Sequence, residues 1–267
     1  MVEATLTYRA AGSCSQLERS ISTAGRWRSI EFPAGCATFV HPREGVVLID
    51  TGYSSHFFDA SRDFPGRFYR WATPVSWQPD QGIRTQLERE GIGQADVRTI
   101  LLTHLHADHC AGLRDFPDAR IVTAAEGAAY YLPRRGVAAV RTGFLPALIP
   151  DDFSARLTQI ESTPLATLDA RVRPYRHGRD LFGDGSVYAV PLPGHARGQY
   201  GFLIGNTFLC ADAAWTYRSI LGQWRLPAIA RLITDDAAAF AEHLAALKTL
   251  VHAGITVVPS HDMARGA

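Results

Sequence analysis

Long apolar runs, closely spaced cysteines and an excess of charge of either sign are all missing from this sequence. Its 267 residues include 27 Lys or Arg and 26 Asp or Glu, which gives a formal net charge of +1. A chain so near neutrality is poorly suited to binding nucleic acid by neutralising phosphates. No window approaches the roughly 18 consecutive apolar residues of a transmembrane helix. We therefore predict neither a nucleic-acid partner nor a membrane partner.

The amino-terminal segment and the cysteines predict a cytoplasmic location. Residues 1–15 carry Glu3 and Arg9 and contain no apolar stretch like that of a signal peptide. The four cysteines are too widely spaced to predict a zinc ribbon or a disulfide framework. They are Cys14, Cys36, Cys110 and Cys210. With 46% hydrophobic residues the chain can bury a substantial core, and we predict a single domain over 1–267.

Short β-branched runs end at side chains that can do chemistry. The run 46–49 leads into Asp50-Thr51-Gly52, and the run 99–103 leads into His104. Helices are predicted over 80–90 and over 235–253, the latter with Thr234 or Asp235 as its N-cap. Further strands are predicted at 119–123, 186–191, 202–204, 207–209 and 255–258. This alternation of strands and helices predicts a layered α/β domain.

Two stretches do not follow that alternation. Residues 53–79 contain eight aromatic side chains, and residues 132–157 contain the apolar run 144–150. Insertions of this kind often wall an active site, but packing in a peripheral core is an equally good interpretation.

The run His104-Leu105-His106-Ala107-Asp108-His109 is the most informative motif. Histidine and aspartate are both zinc ligands, and this run leaves a buried strand where side chains can converge. Residues two apart on an extended segment face the same side, so the first two histidines would share one metal position. The following Asp and His can reach a second position nearby. Two neighbouring metal sites are therefore plausible.

Three further ligand candidates follow later strands: His195, Asp212 and His261. Each alone is a weak signal, because most buried polar residues simply satisfy hydrogen bonds. Together they complete a dinuclear site of five histidines and two aspartates. Imidazole and carboxylate without cysteine suit zinc best, with iron or manganese as alternatives.

These motifs resemble the metallo-β-lactamase superfamily of metal hydrolases. The matching segments are 48–52, 103–109, 193–195, 211–213 and 260–262. The resemblance implies a four-layer αβ/βα sandwich of two mixed sheets flanked by helices. It also implies that His104, His106 and His195 hold one metal, that Asp108, His109 and His261 hold the other, and that Asp212 bridges them.

Within this superfamily the chain is most similar to the acyl-homoserine lactonases. The true β-lactamases typically have Cys or Ser at the position of Asp212. Asp50-Thr51-Gly52-Tyr53 and Asp212-Ala213-Ala214 resemble the lactonases, which typically place a Tyr where this chain has Trp215. The nearby Tyr217 would face the same side if the segment were extended, so its hydroxyl is a candidate replacement.

The predicted function is therefore a dinuclear zinc hydrolase that opens an ester or lactone of a small apolar substrate with a metal-bound hydroxide. Asp108 and Asp212 are the predicted catalytic carboxylates, and Asp50 either fixes a ligand histidine or caps its turn. The predicted substrate pocket consists of Trp215, Tyr217, Tyr53 and Phe144.

Other functions remain compatible with the same site. A thioesterase needs the same chemistry, and a phosphodiesterase would need cationic clamps such as Arg67, Arg70, Arg134 and Arg135. Trp215 also leaves open a metal-bearing ligand-binding protein with little turnover. A homodimer is compatible with the sequence.

Overall fold

Two mixed β-sheets form the centre of the molecule. A computed structural model describes residues 5–225, 227 and 234–263, so residues 1–4, 226, 228–233 and 264–267 of the predicted domain lie outside it. In the described residues the first sheet has the order β4-β1-β2-β3-β5-β6-β7 and the second β13-β12-β11-β10-β9-β8. The strands are β1 Thr7–Leu17, β2 Ser29–His41, β3 Gly45–Ile49, β4 Val75–Ser76, β5 Val97–Leu101, β6 Arg120–Thr123, β7 Leu157–Gln159, β8 Leu165–Thr167, β9 His177–Asp180, β10 Val187–Pro191, β11 Tyr200–Ile204, β12 Thr207–Ala211 and β13 Thr256–Pro259.

Helices cover the outer faces of both sheets. The α-helices are α1 Glu18–Ile21, α2 Ser55–Ala60, α3 Gly66–Ala72, α4 Ile83–Arg89, α5 Ala107–Cys110, α6 Ala125–Tyr131, α7 Gly136–Val140, α8 Phe153–Arg156, α9 Tyr217–Ile220 and α10 Ala237–His252. Short 3₁₀ turns lie at Pro79–Gln81, Gln94–Asp96, Leu113–Asp115, Pro146–Leu148, Ile160–Ser162 and Ala170–Val172. Among the described residues, none of the helices combines the length and the hydrophobicity needed to cross a bilayer.

The side-chain alternation of β3 shows how the layers form. Val47 and Ile49 lie in the core between the two sheets, whereas Leu48 lies in the core between the first sheet and its helices. Successive residues of a strand point to opposite faces, so a strand that is apolar throughout is covered on both sides. Leu247 and Leu250 of α10 cover the outer face of the second sheet. The predicted four-layer αβ/βα sandwich is confirmed.

Strand pairing brings the chemically capable residues to one edge. β3 and β5 are parallel and pair Ile49 with Leu101, so the residues that follow both strands emerge together. β12 and β13 are also parallel and pair Ala211 with Pro259, which brings Asp212 close to His261. The site therefore lies where these strands end.

The structure corrects two details of the predicted elements. The N-cap of α10 is Asp236, whose carboxylate accepts the N–H groups of Ala238 and Ala239, and not Thr234 or Asp235. The predicted helix 80–90 is divided at Gly82 into a 3₁₀ turn and α4. The long amino-terminal strands β1 and β2 had no clear sequence signal.

Candidate metal centre

The central motif leaves the first sheet and turns into α5. His106 has extended backbone at the N-cap, with φ −70° and ψ 156°, and the helix begins at Ala107. His104 and His106 therefore precede the helix, whereas Asp108 and His109 lie on its first turn. The carbonyl of His109 accepts hydrogen bonds from both the N–H and the hydroxyl of Thr51, which ties the helix to the end of β3.

The first ligand cluster consists of His104, His106 and His195. The Nε2 atom of His195 lies 3.0 Å from Nδ1 of His106. The rings of His104 and His106 are T-shaped, with centroids 4.5 Å apart. Three imidazoles thus present nitrogen atoms to one point.

The second cluster consists of Asp108, His109, Asp212 and His261. The Nε2 atom of His109 lies 3.6 Å from a carboxylate oxygen of each aspartate. A tetrahedral zinc site with bonds of about 2.0–2.1 Å has ligand atoms about 3.3–3.4 Å apart. The spacing of these atoms matches a shared ion better than direct hydrogen bonds, which are shorter.

Asp212 connects the two clusters. Its Oδ2 atom lies 3.3 Å from Nε2 of His195 in the first cluster and 3.3 Å from Nε2 of His261 in the second. One carboxylate thus reaches both positions, which is the geometry expected of the bridging ligand that the resemblance implied.

Unpartnered polar atoms test whether metals fit here. Among the described residues, Nε2 of His104, Nε2 of His109 and Oδ1 of Asp212 are buried without a hydrogen-bond partner. Buried polar atoms without partners are rare and call for an explanation. A positively charged ion in each cluster would satisfy these three atoms, so the residues present fit a dinuclear metal site.

For three of the histidines, a hydrogen bond at the opposite nitrogen fixes which atom faces the cluster. His109 Nδ1 lies 2.8 Å from Asp50, and His261 Nδ1 lies 2.8 Å from the carbonyl of Pro33. His104 Nδ1 lies 3.0 Å from the hydroxyl of Thr103. Such contacts orient metal-binding imidazoles and leave Nε2 for the ion. The hydrogen bond predicted between Asp50 and a ligand histidine is therefore present.

The electrostatics of the two clusters differ. Burial, reinforced by the neighbouring His109 and His106, holds the pKa of His104 well below its ordinary value. Burial also opposes protonation of His109, but the carboxylates of Asp108, Asp50 and Asp212 outweigh it and raise its pKa. The first cluster therefore favours neutral imidazole, whereas the second concentrates negative charge.

Two non-glycine residues beside the site adopt left-handed backbone. Asp50 has φ +54° and Ala211, directly before Asp212, has φ +48°. This conformation is uncommon outside glycine and often occurs at functional sites. At both positions it ends a strand and turns the chain towards the clusters.

The clusters form the floor of a cavity of about 250 Å³. Its apolar wall consists of Ile21, Phe32, Tyr69 and Trp215, and Cys14, Gln16 and Ser20 complete the lining. Tyr69 comes from the stretch 53–79. Among the described lining residues, none comes from 132–157 and none is a lysine or arginine.

The structure places three residues of the predicted pocket elsewhere. Tyr53 and Phe144 are each 1% exposed and pack in the core beneath the first sheet's helices. Tyr217 begins α9 and packs against the outer core of the second sheet, because the segment after Trp215 is helical rather than extended. Of the predicted pocket residues, Trp215 lines the cavity.

The four arginines proposed as phosphate clamps also lie apart from the cavity lining. Arg134 stacks on Tyr130, with its guanidinium 3.3 Å from the ring centroid. Arg67 donates to the carbonyl of Arg62, and Arg135 donates to the carbonyls of Leu132 and Arg134. Arg70 is likewise absent from the residues that line the cavity.

Comparison with known proteins identifies the class. Residues 33–261 match the metallo-beta-lactamase superfamily, and the chain belongs to that superfamily. Its His and Asp side chains form two groups that could each hold a metal ion.

The relatives include hydrolases and lactonases. The chain is 32% identical to a probable metallo-hydrolase of Mycobacterium tuberculosis, Rv2300c, over 72% of this chain, and spans 60% of that protein's length. It is 28% identical to the N-acyl homoserine lactonase AttM of Azorhizobium caulinodans, with 89% of this chain and 85% of that protein covered.

Among solved structures, an N-acyl homoserine lactone hydrolase with bound N-hexanoyl-L-homoserine shares the fold. The TM-score is 0.74 at 19% identity, covering 100% of this chain and 96% of that one. The dizinc quorum-quenching lactonase AidC matches with a TM-score of 0.65 at 15% identity, covering 97% and 88%.

Proposed function

We propose that this chain uses two zinc ions to hydrolyse a lactone or ester of a small, largely apolar substrate. The observation that carries the proposal is the position of the clusters on the floor of an apolar-walled cavity. Concave sites with apolar walls and a few convergent polar groups suit small organic ligands. A phosphodiester is less well supported, because no cation lines the described cavity.

His104, His106 and His195 would hold one ion, Asp108, His109 and His261 the other, and Asp212 would bridge them. Divalent ions bound there would bring the pKa of water near 7 and polarise a substrate carbonyl.

The two aspartates that reach the cavity would handle the proton. Asp108 lines the cavity, and its Oδ2 atom lies 3.6 Å from Nε2 of His109 and 3.8 Å from Nε2 of His261. It would orient the attacking water by accepting a hydrogen bond from it. Asp212 would take the proton that the attacking water releases and pass it to the leaving oxygen when the C–O bond breaks, so that water and the lactone become a carboxylic acid and an alcohol.

The named relatives support a lactone over an open-chain ester. AttM is an N-acyl homoserine lactonase, and one structural neighbour carries N-hexanoyl-L-homoserine at its catalytic metal centre. That product has an apolar acyl chain, which suits the wall formed by Ile21, Phe32 and Tyr69.

Hydrolysis of N-hexanoyl and N-decanoyl homoserine lactone by the zinc-loaded protein, followed by proton release, tests the proposal. We expect a kcat/KM of about 10⁴ M⁻¹s⁻¹ or more, within the ordinary enzyme range. An acyl thioester and a bis-aryl phosphodiester serve as comparison substrates.

Faster turnover of either comparison substrate would replace the lactone assignment. Tight lactone binding without turnover would instead favour a ligand-binding protein. The cytoplasmic location and the homodimer stay predictions.

A further inference from the structure

Tyr131, at the end of α6, contacts a ligand histidine from outside the clusters. The side chain is 2% exposed, and its hydroxyl lies 3.4 Å from Nε2 of His106. The two rings meet edge to face, with centroids 6.0 Å apart. Tyr131 does not line the cavity, so this contact is available to orient the histidine rather than to bind substrate.

His106 differs from the other ligand histidines in the nitrogen that faces its cluster. Its Nδ1 atom points to Nε2 of His195, at 3.0 Å, whereas Nε2 points to Tyr131. A ring that coordinates through Nδ1 carries its proton on Nε2, and a hydrogen-bond acceptor there fixes both tautomer and orientation. The phenolic oxygen of Tyr131 supplies that acceptor.

Gly143 holds the same imidazole from a second direction. A Cβ atom at this position would lie 2.9 Å from Cδ2 and 3.0 Å from Nε2 of His106, and the backbone has φ +71°. The carbonyl of Gly143 also accepts the N–H of Ala107, at 3.2 Å. Only glycine leaves room for the ring while the backbone stays tied to the start of α5.

The helix that carries Tyr131 also packs against the loop after His195. A Cβ on Gly198 would lie 2.3 Å from the backbone nitrogen of Gly127 in α6, so the two backbones are in direct contact. Helix α6 thus carries the hydroxyl that meets the His106 ring and also packs against the loop that supplies His195.

We propose that Tyr131 and Gly143 are positioning residues that orient His106 and thereby set the affinity of the His104–His106–His195 metal position. This inference rests on the proposed dinuclear site. Through Gly143, the stretch 132–157 would have a role in positioning a metal-binding histidine. The side-chain contacts of both residues with a ligand are with His106 alone, so the loss of metal should fall mainly on the first position.

The first test removes the hydroxyl alone. Zinc affinity of purified Tyr131→Phe is measured by chelator competition, and cobalt-substituted protein is examined by visible absorption. We expect one of the two ions to bind about 10- to 100-fold more weakly, with the other unchanged and the cobalt spectrum altered. Tyr130→Phe removes the hydroxyl of the neighbouring tyrosine and should match wild type.

The second test uses two glycines of the same segment. Gly143→Ala places a methyl group against His106, whereas at Gly136, with φ +58°, a Cβ meets nothing within 4 Å. Both variants carry the strain of a left-handed alanine, so their difference isolates the contact with the ring. We expect Gly143→Ala to lose occupancy of one ion and Gly136→Ala to keep both.

Wild-type zinc affinity and an unchanged cobalt spectrum in both Tyr131→Phe and Gly143→Ala would overturn the inference and leave the dinuclear site intact. Wild-type protein that binds fewer than two ions would instead remove the proposed function on which the inference rests. Thermal unfolding of each variant shows whether a loss of metal reflects a loss of fold.

Discussion

The Nδ1 atom of His109 lies 2.8 Å from Oδ2 of Asp50, and both side chains are 1% exposed. Asp50 also accepts the N–H and the hydroxyl of Thr103. The carboxylate therefore links the ends of β3 and β5 and turns Nε2 of His109 towards the second cluster. Asp50 has φ +54°, a conformation that Asn tolerates as Asp does.

Asp50→Asn should weaken binding at the second metal position about 10- to 100-fold, because it removes the charge that orients His109. Chelator competition measures the change. Asp115→Asn is the matched control, since Asp115 lies 3.0 Å from His56 in a similar pair away from the clusters. Equal zinc affinity in wild type and Asp50→Asn would show that the charge of Asp50 is not needed to orient His109.

Removal of a ligand provides a more severe test of the second cluster. His109→Ala should bind one zinc ion per chain and lose most of its turnover, because His109 is one of four ligand-type groups there. Metal analysis after gel filtration and the lactone assay measure both effects. His243→Ala is the control, since His243 pairs with Tyr175 at 3.0 Å outside the site. Full activity with a single ion would contradict a two-metal mechanism.

Metal removal should destabilise the fold, because it leaves the buried Nε2 of His104, Nε2 of His109 and Oδ1 of Asp212 without partners. Zinc at a hundredfold excess over its Kd stabilises the folded state by about 2.7 kcal/mol. For a chain of this size that corresponds to a Tm higher by about 5–10 °C. Calorimetry before and after dialysis against a chelator measures the shift, and added zinc should restore it. An identical Tm in both states would contradict metal binding at the clusters.

The two candidate metal clusters were predictable from the sequence because their signals are local. Four of the seven candidate ligands lie within the six consecutive residues 104–109, and His195, Asp212 and His261 each follow a recognisable strand. Parallel pairing then brings the strand ends together, as the fold class implies. The residues around these ligands depend instead on long-range packing. Tyr131 lies 25 positions from His106, and no sequence spacing predicts that its hydroxyl meets that ring.

The substrate pocket was harder to predict for a related reason. Aromatic residues suit a cavity wall and a core equally well, so composition could not separate Tyr69, which lines the cavity, from Tyr53 and Phe144, which do not. The strands β1 and β2 lacked a clear signal because Gly12, Pro33 and Gly35 interrupt them. β1 also shifts register between Ala10 and Ser13.

Trp215 is the predicted pocket residue that lines the cavity next to a histidine of the first cluster. Its indole nitrogen lies 3.4 Å from Nδ1 of His195, and its ring lines the cavity. An indole N–H only donates, and a His195 that binds metal through Nε2 carries a proton on Nδ1. The indole N–H would then have no acceptor there and would be available to the substrate oxygen.

Trp215→Phe should therefore lower kcat/KM for the lactone about 5- to 10-fold, the effect of one hydrogen bond. Trp215→Tyr should match or exceed wild type, because a phenol both donates and accepts. Trp71→Phe, at a tryptophan that is 76% exposed, controls for the loss of an indole. A Trp215→Phe variant as active on the lactone as wild type would show that the indole N–H does not contact the reacting carbonyl. A gain in thioester turnover by Trp215→Tyr without a gain in lactone turnover would show that residue 215 distinguishes the two substrate classes.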